Sequence, residues 1–289
     1  MLTAALTQHI EAALGAPVIA TTTATGGFSP ATRERVVLGD GRRAFVKAGT
    51  DTETRAWLRD EWRVYGAISA PFLPEVLHWS ASEAVLILED LGDCERAPPW
   101  TDRAVRAVLT TLAEVAATPS PSGIPALDPE AFRGWQRSQE NLACIAALGV
   151  AEPEWVHTHG PHLARAEAAA PLTGDSLLHL DVRGDNLFLR DGRAILVDWN
   201  WAERGNAAVD RAFWAPSLQL DGGPAPERVV GHEPELAAAI AGFFAEQAAK
   251  PVELATPAIR AFQRAQLRCA LPWAARALGL PLTGLFDAP

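Results

Sequence analysis

The stretch from Leu177 to Leu189, continued by Ile195 to Asn200, constrains this chain more than any other. An apolar pair, Leu177 and Leu178, enters a polar loop in which His179 and Asp181 stand two apart and Asn186 follows five after Asp181. Leu187 to Leu189 leave the loop, Asp191 and Gly192 give a turn signal, and a second apolar run ends in Asp198. Short apolar runs bounded by turn residues read as strands, so the order gathers Asp181, Asn186 and Asp198 near strand ends. That grouping meets the needs of phosphoryl transfer: an acceptor for the proton of an attacking hydroxyl, and hard oxygen ligands for Mg²⁺ beside a nucleotide's phosphates. Asp181 suits the first role, and Asn186 with Asp198 the second. An isolated Asp-to-Asn spacing occurs in many surface turns, and Asp191 with Gly192 alone marks only a hairpin. The full ordered string carries the reading.

At these residues the chain resembles the aminoglycoside phosphotransferase and choline kinase-like family, a branch of the protein-kinase fold. His179, Asp181 and Asn186 stand where members carry His-Gly-Asp followed by Asn, and Asp198, Trp199 and Asn200 stand where kinases carry Asp-Phe-Gly. Two positions depart, since Leu180 and Asn200 each replace a glycine. The resemblance implies an α+β, two-lobed fold, with a nucleotide-binding lobe over 1–91 and a mainly α-helical catalytic and acceptor-binding lobe over 92–289. It also implies ATP or GTP with Mg²⁺ as cofactors and a small-molecule hydroxyl as acceptor. Arg183, two after Asp181, is placed to neutralise charge on the moving phosphoryl group.

Along the first lobe, Leu2, Leu6, Ile10 and Leu14 recur every four residues and predict a helix ending at Gly15. Strands are expected over 18–25, up to Leu38, and over 44–47, with a hairpin at 39–41. Gly27 and Ser29 lie in the loop between the first two strands, where backbone N–H groups would cover a triphosphate, although two glycines before Phe28 are more often only a turn. Lys47 and Lys250 are the only lysines among 25 basic residues, so a lysine kept inside an apolar strand suggests a need for an ammonium there. The family pairs that lysine with a helix glutamate. Glu61, on a helix expected over 52–69, is the first candidate and Glu53 the second; the competing reading is a solvated acid. Strands over 75–79 and 84–88 complete five, and the resemblance puts adenine on the backbone C=O of Glu89 and N–H of Leu91.

The second lobe reads as helices over about 101–116, 128–148, 154–170, 207–220, 233–249 and 256–278. His157, His159 and His162 lack a Cys or acid at ligand spacing, so they are read as non-metal residues before a helix that Pro161 would start. His179 is expected to brace its loop, and Asp210 matches a family aspartate that holds the loop backbone. Arg260, Arg264 and Arg268 recur every fourth residue as a basic stripe, read as a solvated face or as partners of acidic groups.

A net charge of −10 argues against a nucleic-acid partner, and no apolar run approaches membrane-spanning length. No basic segment precedes the first apolar residues, so no secretory leader is expected and the cytoplasm is the default location. Cys94, Cys144 and Cys269 are too scattered for a disulfide framework and are read as buried thiols. The modest acidic excess of residues 92–289 slightly favours an amine-bearing acceptor, aminoglycoside-type or other, with Glu203, Asp210 and Asp287 as candidate contacts. The arginine stripe points instead toward a neutral or anionic metabolite, and the alternative acceptor is a neutral sugar, nucleoside or macrolide. A reading of another class is a nucleotide-binding scaffold without catalysis, which predicts loss of at least one of Lys47, Asp181, Asn186 or Asp198; all four are present.

Overall fold

The computed structural model describes residues 2–24, 30–138, 142–251 and 257–286. Helix α1 (Ala4–Leu14) starts where the Thr3 hydroxyl accepts the N–H of Leu6 and stops at Gly15, whose φ of 69° few other residues adopt at low cost. Strands β1 (Val18–Thr23), β2 (Thr32–Leu38) and β3 (Arg43–Ala48) follow, then α2 (Thr52–Tyr65), β4 (Val76–Ser80) and β5 (Val85–Glu89). The strands form one antiparallel sheet in the order β1-β2-β3-β5-β4.

Alternation along the strands sorts their side chains. Val36, Leu38, Ala44, Val46, Val85 and Ile87 pack with Ile10 and Leu14 of α1 on one face. The two-residue period turns Leu86, Leu88 and Lys47 to the other face, toward α2. Helix α2 is begun by Asp51 and Thr54, which cap each other's backbone N–H groups, and it ends at Tyr65 rather than 69. Its buried stripe includes Leu58, Glu61 and Tyr65, so the one acid in the stripe faces the sheet.

Beyond Glu89 the chain is mainly helical, with α3 (Asp102–Ala117), α4 (Gly134–Ser138), α5 (Leu142–Ala146), α6 (Pro153–Ala168), α7 (Ala208–Leu220), α8 (Glu227–Val230), α9 (Pro234–Ala249) and α10 (Pro257–Ala277). Two short antiparallel ribbons lie between α6 and α7: β6 (Ser176–Leu178) with β9 (Glu203–Gly205), and β7 (Leu187–Arg190) with β8 (Arg193–Leu196). Alanine-rich α9 is buried along most of its length, and the indoles of Trp135, Trp199, Trp214 and Trp273 fill the core of this lobe.

Several expectations are corrected. The single helix over 128–148 is instead a 3₁₀ turn at Pro129–Phe132, then α4 and α5. Helix α4 is restarted from outside: the Glu167 carboxylate on α6 accepts the N–H of Trp135 at 3.0 Å and that of Gln136. Close packing fixes the spot, since a Cβ on Gly134 would lie 1.8 Å from the carbonyl oxygen of Gly242 on α9. Pro161 starts no helix; α6 begins at Pro153, where a missing N–H costs nothing, and runs through Pro161. Of the cysteines only Cys269 is buried, while Cys94 is half-buried and Cys144 exposed. Among the described residues no helix is long and apolar enough to cross a membrane.

Candidate active site

The loop between β6 and β7 is held at both ends by side chains that bond its backbone. His179 is fully buried; its Nε2 lies 2.9 Å from the carbonyl of Val197, and its Nδ1 accepts the N–H of Asp181 at 3.2 Å. Those partners place the ring proton on Nε2, and burial drives the His179 pKa down to about 4, so the ring is neutral. It ties the residue at 181 to the chain just before Asp198. Asp210, in the first turn of α7, accepts the N–H groups of His179 and Leu180, each at 2.7 Å. Burial raises the Asp210 pKa to about 6, against the pull of those two donors.

The two departures from glycine resolve differently. Leu180 takes φ of 60°, the left-handed region, at a cost of about 1–2 kcal/mol for a residue with a branched side chain. The bond to Asp210 holds it there. Asn200 sits in a 3₁₀ turn, Trp199–Trp201, and the positive φ falls on Asp198 at 66°, so no glycine is required at 200.

Asp181 accepts Asn186 Nδ2 at 2.7 Å, and the same amide nitrogen donates to the Asp181 carbonyl at 2.9 Å. Arg183 Nε forms an ion pair with Asp181 at 3.0 Å, and its Nη2 one with Asp185 at 3.2 Å. Burial raises the Asp181 pKa to about 7, with Arg183 acting in the opposite direction.

Lys47 is 5% exposed and donates to both oxygens of Glu61, at 2.8 and 3.0 Å, and to Asp198. Glu61 also accepts the N–H of Asp198 at 3.1 Å. Burial works against the ammonium, but Asp198 and Glu61 outweigh it and hold the Lys47 pKa above its ordinary value. Glu61 is thus the buried partner and not a solvated acid; Glu53 stays exposed in the first turn of α2.

At the end of β5, the Glu89 carboxylate is paired with Arg190 of β7 at 2.6 Å, and Leu91 is buried. Asp90 accepts the N–H of Gly92 and pairs with Arg35. Gly27 and Ser29 lie outside the described residues, as does Asp287.

A cavity of about 480 Å³ opens beside Asp181. Its lining includes the charged groups of Arg33, Lys47, Glu61, Asp181, Arg183 and Asp198. Rings of Phe132, Phe213, Phe243 and Phe244 also line it, in mutual contact at centroid separations of 4.9–6.0 Å. Phe262, whose ring centroid lies 5.6 Å from the Arg183 guanidinium, Trp201 and Glu203 also line it, and burial raises the Glu203 pKa to about 7, with Asp128 adding to it. Of the acids suggested for an acceptor, Glu203 lines the cavity. Asp210 does not; its oxygens are turned onto the loop backbone.

The arginine stripe divides. Arg260 is buried against the carbonyl of Gln247, Arg268 donates to that of Gly149, and Arg264 is exposed. The aromatic wall went unread in the sequence; the only local hint is the pair Phe243 and Phe244 on an otherwise alanine-rich helix. Among the described residues no three His, Cys, Asp or Glu side chains cluster at metal-ligating distance, and His157, His159 and His162 sit on α6, where His159 packs against Trp155.

A five-stranded sheet over a helical lobe, with a buried Lys-Glu pair meeting an aspartate from the second lobe, defines a kinase-like phosphotransferase. The chain belongs to the phosphotransferase enzyme family (APH), whose sequence model matches residues 21–242. Among solved structures it is similar in fold to the choline kinase LicA from Streptococcus pneumoniae, at 11% identity, TM-score 0.58, covering 95% of this chain and 98% of that one. It is also similar to the aminoglycoside phosphotransferase APH(2'')-Ib, solved with ADP, at 14% identity, TM-score 0.57, and 92% and 97% coverage. The macrolide 2'-phosphotransferase MphH from Brachybacterium faecium stands at 19% identity, TM-score 0.57, and 92% and 98% coverage. A search of curated protein sequences found no match.

Proposed function

We propose that this protein transfers the γ-phosphate of ATP, or of GTP, to a hydroxyl of a small amine-bearing molecule, with Asp181 as the base. The observation that carries the reading is the Asp181 carboxylate: it lies at the cavity, its pKa is raised to about 7, and Asn186 and Arg183 fix its orientation. A base titrating near neutrality takes a proton efficiently at working pH. In the step, the acceptor oxygen bonds to the γ-phosphorus as the bond to the bridging oxygen of the nucleoside diphosphate breaks, and the hydroxyl proton passes to Asp181.

Lys47, held charged by Glu61, neutralises nucleotide phosphates, and Arg183 adds positive charge beside the transferred group. Asn186 and Asp198 are suited to hold Mg²⁺. The Asn186 amide is oriented by two bonds from Nδ2 to Asp181, which turns its carbonyl oxygen away as a hard ligand, and Asp198 supplies a carboxylate. When bound, Mg²⁺ supplies charge neutralisation on the phosphates. The backbone of Glu89 and Leu91 at the end of β5 serves the base, and Gly27 and Ser29 the phosphates. On this reading the nucleotide lobe ends at residue 91 and the acceptor lobe follows.

A scaffold without catalysis is disfavoured by the joining of Lys47, Glu61 and Asp198 in one ion-paired cluster. The test is nucleoside triphosphate consumption with a panel of hydroxylated acceptors, with phosphorylated product identified by mass spectrometry. Product that forms only with Mg²⁺ and disappears with chelator is expected. Nucleotide binding without product on any acceptor class would favour the scaffold.

A further inference from the structure

The chain has a single tyrosine, and it is buried beside the ion-paired cluster of Lys47, Glu61 and Asp198. Tyr65 is 6% exposed and follows Glu61 by one turn of α2, so both side chains lie on the same face of the helix. Its hydroxyl is enclosed and makes no hydrogen bond of normal geometry among the described residues. Burial, with Glu61 and Asp198 adding to it, nonetheless raises the Tyr65 pKa well above its ordinary value, so both acids lie close and the phenol keeps its proton as a donor. A phenylalanine would fill the same space at less cost, since an enclosed polar group that bonds nothing weighs against folding.

The bonds inside the cluster show where that donor is needed. An ammonium has three N–H groups, and Lys47 directs them to Oε1 of Glu61 at 2.8 Å, to Oε2 at 3.0 Å and to Asp198, so all three are in use. Glu61 Oε1 also accepts the N–H of Asp198 at 3.1 Å, whereas Lys47 is the only donor in bonding geometry with Oε2 among the described residues. Lys47 can therefore reach phosphate oxygens only by withdrawing donors from this set. Turning from Asp198 frees one. A second must come from Glu61, whose carboxylate is 2% exposed and would be left short of a donor where water is excluded. The Tyr65 hydroxyl is a donor already beside that carboxylate.

We propose that Tyr65 is a positioning residue whose hydroxyl donates to Glu61 in place of Lys47 when the ammonium turns to the nucleotide's phosphates, and so keeps Glu61 fixed as the lysine's remaining partner. The inference rests on the phosphotransferase reading above. Because the chain has a single tyrosine, 3-fluorotyrosine incorporated into the full chain gives a single ¹⁹F resonance at this position. That resonance should move when ATP, or GTP if that is the nucleotide bound, is added with Mg²⁺. It should stay in place with the nucleoside alone, which offers Lys47 no phosphate. Tyr65→Phe should weaken affinity for the triphosphate with Mg²⁺ by about tenfold or more, the size of one hydrogen bond to a charged group. Its affinity for the nucleoside should match the wild type, and its denaturant midpoint without nucleotide should be no lower, because in that state the hydroxyl has no bond to lose.

A resonance that the triphosphate leaves in place overturns the proposal, as does wild-type affinity for the triphosphate in Tyr65→Phe. A lowered midpoint in nucleotide-free Tyr65→Phe overturns it too, since the hydroxyl would then already be bonded there. Equal losses of nucleoside and triphosphate affinity would put the damage at the base and not at Lys47, with the same consequence. In each of these cases a wild type that binds the triphosphate with Mg²⁺ and phosphorylates an alcohol leaves the phosphotransferase standing. If the wild type binds no nucleotide, both fall.

Discussion

At the scale of the residue, the account turns on one carboxylate in two environments. Burial raises the Asp181 pKa to about 7, while Arg183 at 3.0 Å favours the charged form. A base must be ionised to accept a proton, so kcat/KM should fall about tenfold per pH unit below roughly pH 7 and level off above it. Arg183→Gln removes the opposing charge and should move that limb to higher pH. His179, with its pKa near 4, lies too low to produce the limb. A limb near pH 4 in the wild type would show that Asp181 is not desolvated or is not the base. The grouping of Asp181, Arg183 and Asn186 was legible in the sequence, because these polar residues stand at fixed spacing within one loop. Leu180 and Asn200 were not, since only the backbone shows that the positive φ falls at 180 and 198.

At the scale of the element, α7 carries the loop on one side chain. Asp210 is 3% exposed and is the acceptor for two N–H groups, those of His179 and Leu180. Asp210→Ala would leave both donors buried without a partner and should lower unfolding free energy by about 2–5 kcal/mol, read from the denaturant midpoint. Asp210→Asn keeps one acceptor oxygen and should cost less. Equal stability of Asp210→Ala and the wild type would mean the loop is held by other contacts. Helices with a regular apolar stripe, such as α1 and α3, were visible in the sequence. The break of 128–148 was not, because the cap for α4 comes from Glu167, some thirty positions away, and the contact of Gly134 with Gly242 is farther still. Proline misled at 161, where a helix already begun at Pro153 and packed against its neighbours carries it in its interior.

At the scale of the whole molecule, the site exists because α2 binds in two directions. Its Glu61 reaches Lys47 on the sheet and the backbone of Asp198 after β8, so groups from the sheet and from the helical part of the chain meet at one point. The aromatic lining of the cavity forms only when a 3₁₀ turn, α7 and α9 pack together, which is why rings at 132, 213 and 243 gave no signal as a group in the sequence. On the proposed function the transfer step depends on Asp181, while nucleotide affinity rests on Lys47 and its partners. Single-turnover kinetics of Asp181→Asn, measured beside its affinity for ATP with Mg²⁺, separates the two. Affinity close to wild type with phosphoryl transfer slowed by about 10²-fold or more is the expected result, and transfer at the wild-type rate would contradict the assignment of the base and of the loop around it.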